Sequence, residues 1–272
     1  MKTVYRFYEF LIYLFLYAPI LVLIVFSFND SNVMSRSVWS GFSLRWYSQL
    51  FADQMLLDAL RNTLMIAVVA SLVSTALGTA AAIGINGMKK LPRRFVMNIT
   101  NFPMVNPDIV TGVSLMLLFV AAAKLLGNAS LGMVSLLLAH ITFCLPYVIL
   151  SVMPKLRQMD PNLYEAAQDL GCAPVPSFFK VVLPEIMPGV VTGLIMAFTL
   201  SIDDFVISYF TSGTTQTLPI FIYSMTRKRV SPEINALSTL LFSFILLLLL
   251  VINSRTKKDA KAASKPEPER GA

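Results

Sequence analysis

Three acidic residues stand inside long apolar stretches of this sequence, where a charge is costly. Asp108 lies in the stretch 97–123, and Asp203 and Asp204 lie in 187–212. A charge in a bilayer costs at least a few kcal/mol, so such side chains by default face the interior of a helix bundle or a water-filled cavity. Carboxylates without buried Lys or Arg partners leave a negative field that a cationic solute would neutralise. The chemistry that these residues predict is therefore the binding and passage of a cation.

Aromatic side chains near these acids fit the same chemistry. An aromatic face can hold an ammonium group by a cation–π contact worth about 0.5–2 kcal/mol. The predicted substrate path therefore combines three acids with three aromatic residues, namely Asp108, Asp203, Asp204, Tyr147, Phe205 and Tyr209. For each acid the open alternative is a structural role, in which the carboxylate bonds to the backbone or to a neighbouring subunit.

The two adjacent acids are not expected to do the same job. Neighbouring residues on an α-helix point about 100° apart, so Asp203 and Asp204 do not both face one line. We expect one of them to lie on the path and the other to cap a helix end or to pair with another group. A hydrolase that uses this pair is disfavoured, because carboxylates that share a proton lie about 3 Å apart. His140, the only histidine, has no companion ligands and is expected to be a hydrogen-bonded packing residue.

Motifs of the common enzyme classes are absent from the sequence. No GxxxxGK[ST] loop is present, so we predict that this chain does not bind ATP by itself. No HExxH or GxSxG pattern occurs, and one histidine cannot build a zinc site with Cys144 and Cys172, which lie in separate segments. We therefore predict no catalytic residue and no metal site, and we expect both cysteines to be structural.

Composition places these residues in a membrane protein. Of the 272 residues, 56% are hydrophobic and only 14% are charged, against about 25% charged residues in soluble domains. Such a chain cannot cover a water-facing surface, and the same numbers exclude disorder, collagen and a disulfide scaffold. The net charge of +7 lies between apolar runs, which favours the basic ends of membrane spans over a nucleic-acid-binding face.

Six stretches are long and apolar enough to cross a bilayer, which takes about 20 residues each. They are about 7–28, 61–86, 97–123, 132–153, 187–212 and 235–253. The predicted fold is an all-α polytopic bundle of six transmembrane helices over 1–253, followed by a disordered cytoplasmic tail over 254–272. One side of this topology holds 15 of the 22 Lys and Arg residues, so both termini are expected in the cytoplasm.

Two further patterns predict how the elements lie. The second stretch carries small residues at helical spacing, namely Ser71, Ser74, Thr75, Gly78 and Ala82. Small residues let helix backbones approach closely, so we expect packing inside the bundle, with a seam between subunits as the open alternative. The long loop 29–60 contains Trp39, Trp46 and Tyr47, which is typical of a segment at the membrane–water interface.

Residues 154–186 form a long cytoplasmic loop between the fourth and fifth stretches. Asp160 and Gly171 favour the start and the end of a short helix between them. A second short helix is predicted over about 176–182, ending near Pro184. The polar side of the first helix carries acids, whereas a helix lying on a membrane carries basic residues there. We therefore interpret this loop as a docking element for a partner protein.

The pattern within this loop resembles the EAA loop of ABC-importer permeases. Glu165-Ala166-Ala167 is followed by Gly171 at the family's spacing and by Leu183-Pro184 at the end of the motif. The resemblance implies that these six residues form the coupling region, held in a groove of the ATP-hydrolysing subunit. Softer segments look like the spermidine/putrescine permeases over nearly the whole chain except the tail; they begin at Asn106, His140, Phe198 and Ser231.

The resemblance carries further expectations. It implies a type I ABC importer permease fold (MetI-like) in the bacterial cytoplasmic (inner) membrane, a polyamine (spermidine/putrescine) transport function, and no enzymatic activity in this chain. The implied partners are two ATP-binding subunits, a second homologous permease subunit, an extracytoplasmic polyamine-binding protein and membrane lipid, with no nucleic acid. ATP and Mg belong to the partner ATPase, and no cofactor is expected in this chain. The open alternatives are an importer of another small solute and a self-sufficient secondary transporter or channel.

Overall fold

A computed structural model describes residues 2–30, 39–127, 131–160, 162–228, 233–243 and 246, and most of these residues are helical. The chain divides into two compact units: residues up to Gln54 with those from Ile222 onward, and Met55–Phe221. The named helices are α1 (Lys2–Phe26), α2 (Arg45–Ala52), α3 (Gln54–Asn86), α4 (Lys90–Val105), α5 (Asp108–Leu126), α6 (Met133–Gln158), α7 (Leu163–Asp169), α8 (Pro174–Ser177), α9 (Leu183–Asp203), α10 (Val206–Thr211) and α11 (Leu218–Lys228). Residues 233–243 are also helical.

Within the part of the chain that the structure describes, five helices are long and apolar enough to cross a membrane. They are Tyr5–Phe26, Gln54–Asn86, Asp108–Leu125, Met133–Gln158 and Pro174–Asp203. Each of them overlaps one predicted span. The sixth predicted span, 235–253, is helical over 235–243. Most of its remainder lies outside the described residues, as does the predicted tail 254–272.

The centre of the Met55–Phe221 unit is the packing of α6 against α9. The two helices are antiparallel and keep one register, with Val152 beside Gly189, Val148 beside Gly193 and Cys144 beside Ala197. A Cβ on Gly189 would lie 2.9 Å from the carbonyl oxygen of Ser151, and a Cβ on Gly193 would lie 3.3 Å from the Cα of Val148. The backbones touch because the residues of α9 at this contact are small.

The small residues of α3 pack inside the same unit. All five that the sequence singled out are buried, namely Ser71, Ser74, Thr75, Gly78 and Ala82. A Cβ on Gly78 would lie 2.7 Å from Cγ1 of Val148, the residue that also faces Gly193. The structure therefore supports packing within the chain rather than a seam between subunits.

The third predicted span, 97–123, is wrong as a continuous helix. Helix α4 ends at Val105, and α5 begins at Asp108 after Asn106 adopts extended backbone angles of φ −74° and ψ 143°. The ring of Pro107 disfavours the helical region for the residue before it, which explains the break. Asp108 is therefore the first residue of a helix, and not a residue ten positions into one.

The predicted end of the second short helix in the loop, near Pro184, is also wrong. The segment α8 continues through a π-helical turn, Phe178–Val182, directly into α9. The N–H of Leu183 bonds to the carbonyl of Phe178, which is the wider spacing of a π-turn. Pro184 lies in the first turn of α9, where its missing N–H and its ring are tolerated. The chain therefore enters the membrane span without a stop.

The unit that contains α1 is held together by aromatic residues at the end of that helix. The indole N–H of Trp46 donates to the carbonyl of Asn29 over 2.8 Å, and the hydroxyls of Ser27 and Tyr47 lie 2.7 Å apart. The guanidinium of Arg45 stands 4.5 Å from the centre of the Trp46 ring. These contacts fold α2 back onto the end of α1, and the aromatic and cationic groups suit the membrane–water interface.

Two glycines of α3 offer a matched test of this packing. Gly78→Ala should destabilise the protein by about 1–3 kcal/mol, because the new methyl group overlaps Val148. Gly84→Ala meets nothing within 4 Å, so it should be neutral or stabilising by up to about 1 kcal/mol. Thermal unfolding in detergent measures both. Equal shifts for the two variants would contradict the close α3–α6 approach.

Candidate functional site

Asp108 stands at the start of α5 with its side chain exposed. Its carboxylate acts electrostatically on the hydroxyl of Tyr147, a half-buried residue of α6. The ring of Tyr147 in turn lies edge-on to Phe143, with ring centres 5.6 Å apart. The structure thus brings one predicted acid and one predicted aromatic residue to the same surface of α5 and α6. A cation there would meet a carboxylate beside an aromatic ring.

Helix α5 is fixed against α10 by a close contact at Gly112. A Cβ on this residue would lie 2.9 Å from Cδ2 of Phe210 and 3.5 Å from the Cα of Ile207. Gly112 is one helical turn after Asp108, and Ile207 is four residues after Asp203, across the break. The contact therefore ties the helix that carries one acid to the segment that follows the other acids. Sequence reasoning missed Gly112, whose importance only its neighbours reveal.

The fifth predicted span, 187–212, is wrong as one helix, because it breaks between Asp203 and Val206. Helix α9 ends at Asp203, Asp204 is extended with φ −67° and ψ 118°, and α10 begins at Val206. The carboxylate of Asp204 accepts the backbone N–H of Ser208 at 2.7 Å and that of Ile207 at 3.3 Å. The side chain therefore takes up donors that the first turn of α10 would otherwise leave unpaired.

The two adjacent acids have different environments. The side chain of Asp204 is 7% exposed, whereas Asp203 is exposed. Among the described residues, the side chain of Asp203 has no hydrogen-bond or ion-pair partner. This difference fits the expectation that one acid caps a helix while the other stays available to bind a cation. The sequence argument assigned them different directions from the 100° rotation between neighbours on a helix. That rotation does not apply, because α9 ends at Asp203 and Asp204 is extended.

His140 is the centre of a buried polar cluster that joins three helices. It is 1% exposed, and its Nδ1 lies 2.7 Å from the hydroxyl of Ser201 in α9. Its Nε2 lies 2.9 Å from the hydroxyl of Ser208 in α10 and 3.6 Å from Oδ2 of Asp204. The expected hydrogen-bonded packing role agrees with these contacts. Sequence reasoning missed the two serines, which stand three residues before and four residues after Asp204.

The predicted aromatic residues of this segment lie beside each other. The rings of Phe205 and Tyr209 are 5.5 Å apart, and Tyr209 is 48% exposed. They follow Asp203 in the chain on the other side of the break, with Phe205 just before α10 and Tyr209 within it. This short segment therefore carries an exposed carboxylate and an exposed aromatic ring, and both groups can bind an ammonium group.

The loop between α6 and α9 has the geometry of a rigid protruding turn. The N–H of Gly171 bonds to the carbonyl of Gln168, and the N–H of Cys172 bonds to that of Ala167. This pair of bonds is a Schellman end, and Gly171 supplies the left-handed residue that it needs, with φ 86°. At its start, the Asp160 carboxylate accepts the N–H of Asn162 at 2.9 Å. Both ends of α7 are therefore fixed by local bonds.

The apolar side of α7 is not covered by the described chain. Leu170 is 90% exposed, and Leu163 is 36% exposed. Glu165 and Ala166 are exposed on the same helix, while Ala167 is half-buried. Val175 and Phe179, on the segment after the turn, are 66% and 59% exposed. The loop therefore presents apolar and acidic groups on a surface that lies apart from the helix contacts of the core.

Known proteins supply the context for this geometry. Residues 74–256 match the family described as "Binding-protein-dependent transport system inner membrane component". The chain is 44% identical over 235 residues to the putrescine transport system permease protein PotI of Escherichia coli (strain K12), covering 85% of this chain and 83% of that protein. It is 42% identical over 245 residues to the spermidine/putrescine transport system permease protein PotC of the same strain, covering 90% and 89%. These relatives are transport permease subunits and not enzymes.

Solved structures show the same fold. A bacterial ABC transporter that imports the acidic polysaccharide alginate contains a chain that matches with a TM-score of 0.71 and 15% identity, covering 95% of this chain and 96% of that one. An amino acid ABC transporter matches with a TM-score of 0.52 and 19% identity, covering 78% and 98%. The all-α membrane fold is thus that of ABC importer permeases. The chain belongs to the family of inner-membrane components of binding-protein-dependent transport systems, and it is a multi-pass protein of that membrane.

Proposed function

We propose that this chain forms half of the translocation path of an ATP-driven importer of polyamines such as putrescine and spermidine. The observation that carries this proposal is the pair of exposed acids, Asp108 and Asp203, which stand at breaks between helices, with Asp108 close enough to Tyr147 to interact with it electrostatically. A polyamine carries several ammonium groups, which acids and aromatic faces can hold in succession. Relatives at 42–44% identity that transport putrescine or spermidine support the same substrate class.

The proposed path combines five of the predicted residues and leaves one aside. Asp108, Asp203, Tyr147, Phe205 and Tyr209 line it. Asp204 does not line the path. Its carboxylate is buried and bonded to the backbone of α10, so it holds the start of that helix in place. A sister permease of similar kind completes the path, and an extracytoplasmic binding protein delivers the polyamine to it.

The EAA loop is proposed to couple this path to ATP hydrolysis. One of the two ATP-binding subunits, which carry ATP and Mg, docks on Glu165, Ala166, Ala167 and Gly171. Leu183-Pro184 then passes the motion into α9. The exposed apolar surface of α7 and its fixed ends support this role. With the loop in the cytoplasm, an even number of spans places both termini there as well. Closure of the ATPases then favours one state of the path over the other by differential contacts.

Uptake assays on the acids test the path. Asp203→Asn and Asp108→Asn should each lower uptake of labelled putrescine about tenfold or more, because each removes a charge that binds the cation, while thermal stability stays within about 0.5 kcal/mol of wild type. Asp204→Ala is the matched control on the adjacent residue. It should lower stability by about 1–3 kcal/mol, because the N–H groups of Ile207 and Ser208 lose their acceptor. Normal uptake by both Asn variants would exclude the proposed path.

Two left-handed glycines test the coupling loop. Gly171→Val should abolish co-purification of the ATP-binding subunit in mild detergent, because it distorts the end of α7. Gly127→Val is the matched control, since Gly127 also ends a helix, with φ 72°, and neither glycine has an atom within 4 Å of an added Cβ. The backbone strain is therefore similar, but Gly127 lies outside the loop. Retention of the ATPase by Gly171→Val, or its loss from both variants, would contradict the assignment.

A further inference from the structure

His140 stands at the joint between α9 and α10 and contacts both sides of the break. Its Nδ1 lies 2.7 Å from the hydroxyl of Ser201, in the last turn of α9. Its Nε2 lies 2.9 Å from the hydroxyl of Ser208 in α10. One ring on α6 therefore connects to the helix before the break and to the helix after it. Either neutral tautomer can satisfy both contacts, because a serine hydroxyl donates and accepts.

Asp204 links this ring to the backbone of the break. Its Oδ2 is 3.6 Å from Nε2 of His140 and 2.7 Å from the backbone nitrogen of Ser208. The carboxylate and the imidazole thus converge on Ser208, and both side chains are almost completely buried. Buried polar groups of this kind are costly unless they are all paired, so the cluster strongly prefers one geometry.

The exposed residues of the proposed path are attached to this cluster. Asp203 is the residue immediately before Asp204, and Tyr209 is the residue immediately after Ser208. The directions in which the side chains of Asp203 and Tyr209 point therefore depend on the backbone geometry of the break between α9 and α10. Among the described residues, His140 is the histidine that bonds across this break, and the role derived so far for it is packing alone.

We propose that His140 is a positioning residue for transport, which sets the geometry of Asp203 and Tyr209 by holding the α9–α10 joint through Ser208 and Asp204. The inference rests on the proposed path and assigns a second role to a residue that does not touch the substrate. It separates two functions of the ring. The Nδ1 side secures α6 to α9, and the Nε2 side fixes α10.

Two amide variants distinguish these functions, because the amide of glutamine reaches the place of Nε2 and that of asparagine the place of Nδ1. His140→Gln keeps a polar group facing Ser208 and Asp204, and it should retain uptake within about threefold of wild type. His140→Asn keeps only the contact to Ser201, and it should raise the putrescine concentration for half-maximal uptake about tenfold at equal amounts of permease in the membrane. Equal effects of the two variants, or a loss of permease without a change in half-saturation, would overturn the proposal.

A double-mutant cycle tests whether His140 acts through Asp203. His140→Asn should lower uptake strongly in the wild-type background but less than about twofold in an Asp203→Asn background, because residues that act as a unit are not additive. Cys144→Ala is the matched control. Cys144 lies one turn along α6, and its thiol contacts the carbonyl of Ala197 in α9, on the helix before the break. Its effect should be small and additive, and additivity for His140 would overturn the proposal.

Hydrogen exchange separates a failure of the inference from a failure of the path. In the purified complex, His140→Asn should raise amide exchange in a peptide that covers 203–211, and His140→Gln and Cys144→Ala should not. If Asp203→Asn leaves uptake intact while this exchange pattern is seen, the proposed path through Asp203 is wrong. The conclusion that His140 fixes the α9–α10 joint is then retained. Unchanged exchange in His140→Asn overturns the positioning role itself.

Discussion

The contact between α6 and α9 is the constraint on which the rest of the structure depends. The two helices keep one antiparallel register from Val152 and Gly189 to His140 and Ser201. Small residues on α9 bring the backbones into direct contact, and packed backbones do not slide past one another gradually. The loop with the EAA pattern joins these two helices at one end, and the α9–α10 joint lies at the other. If the loop couples the chain to ATP hydrolysis as proposed, its displacement would act on the joint through this pair of helices.

The breaks in the helices are where the chemistry is exposed. Asp108 begins a helix after a proline, and Asp203 ends a helix before an extended residue. At such positions a carboxylate can point away from the helix surface while its neighbours satisfy the backbone, as Asp204 does for α10. The same break thus produces the Asp204 carboxylate, which bonds to the backbone, and the Asp203 carboxylate, which has no partner among the described residues.

Much of this arrangement follows from the sequence. Apolar length located the membrane helices, because a bilayer requires a minimum span. Small residues at helical spacing in α3 predicted close packing, and Gly171 predicted the left-handed end of α7. The EAA spacing predicted the family, because several fixed positions over a short loop rarely agree by chance. These signals are local, so each could be read from a few neighbouring residues.

The remainder depends on contacts between distant segments. The break between α4 and α5 stands at Pro107, but hydropathy alone joined these two helices into one predicted span. The break after Asp203 has no proline or glycine to mark it, since it is stabilised by Asp204 and by His140 from another helix. The π-turn before Pro184 carries the loop into α9 although proline usually ends a segment. Which acid is exposed follows from these contacts, and sequence spacing does not contain them.

The central claim is that this chain moves a cation by means of ATP hydrolysis in a partner subunit. The most direct measurement is uptake of labelled putrescine by membrane vesicles that contain the chain with its native partners, with ATP inside or withheld, and with or without a protonophore. We expect uptake that requires ATP and persists when the proton gradient is collapsed. Uptake that a proton gradient drives without nucleotide would overturn the proposed function and identify a self-sufficient transporter.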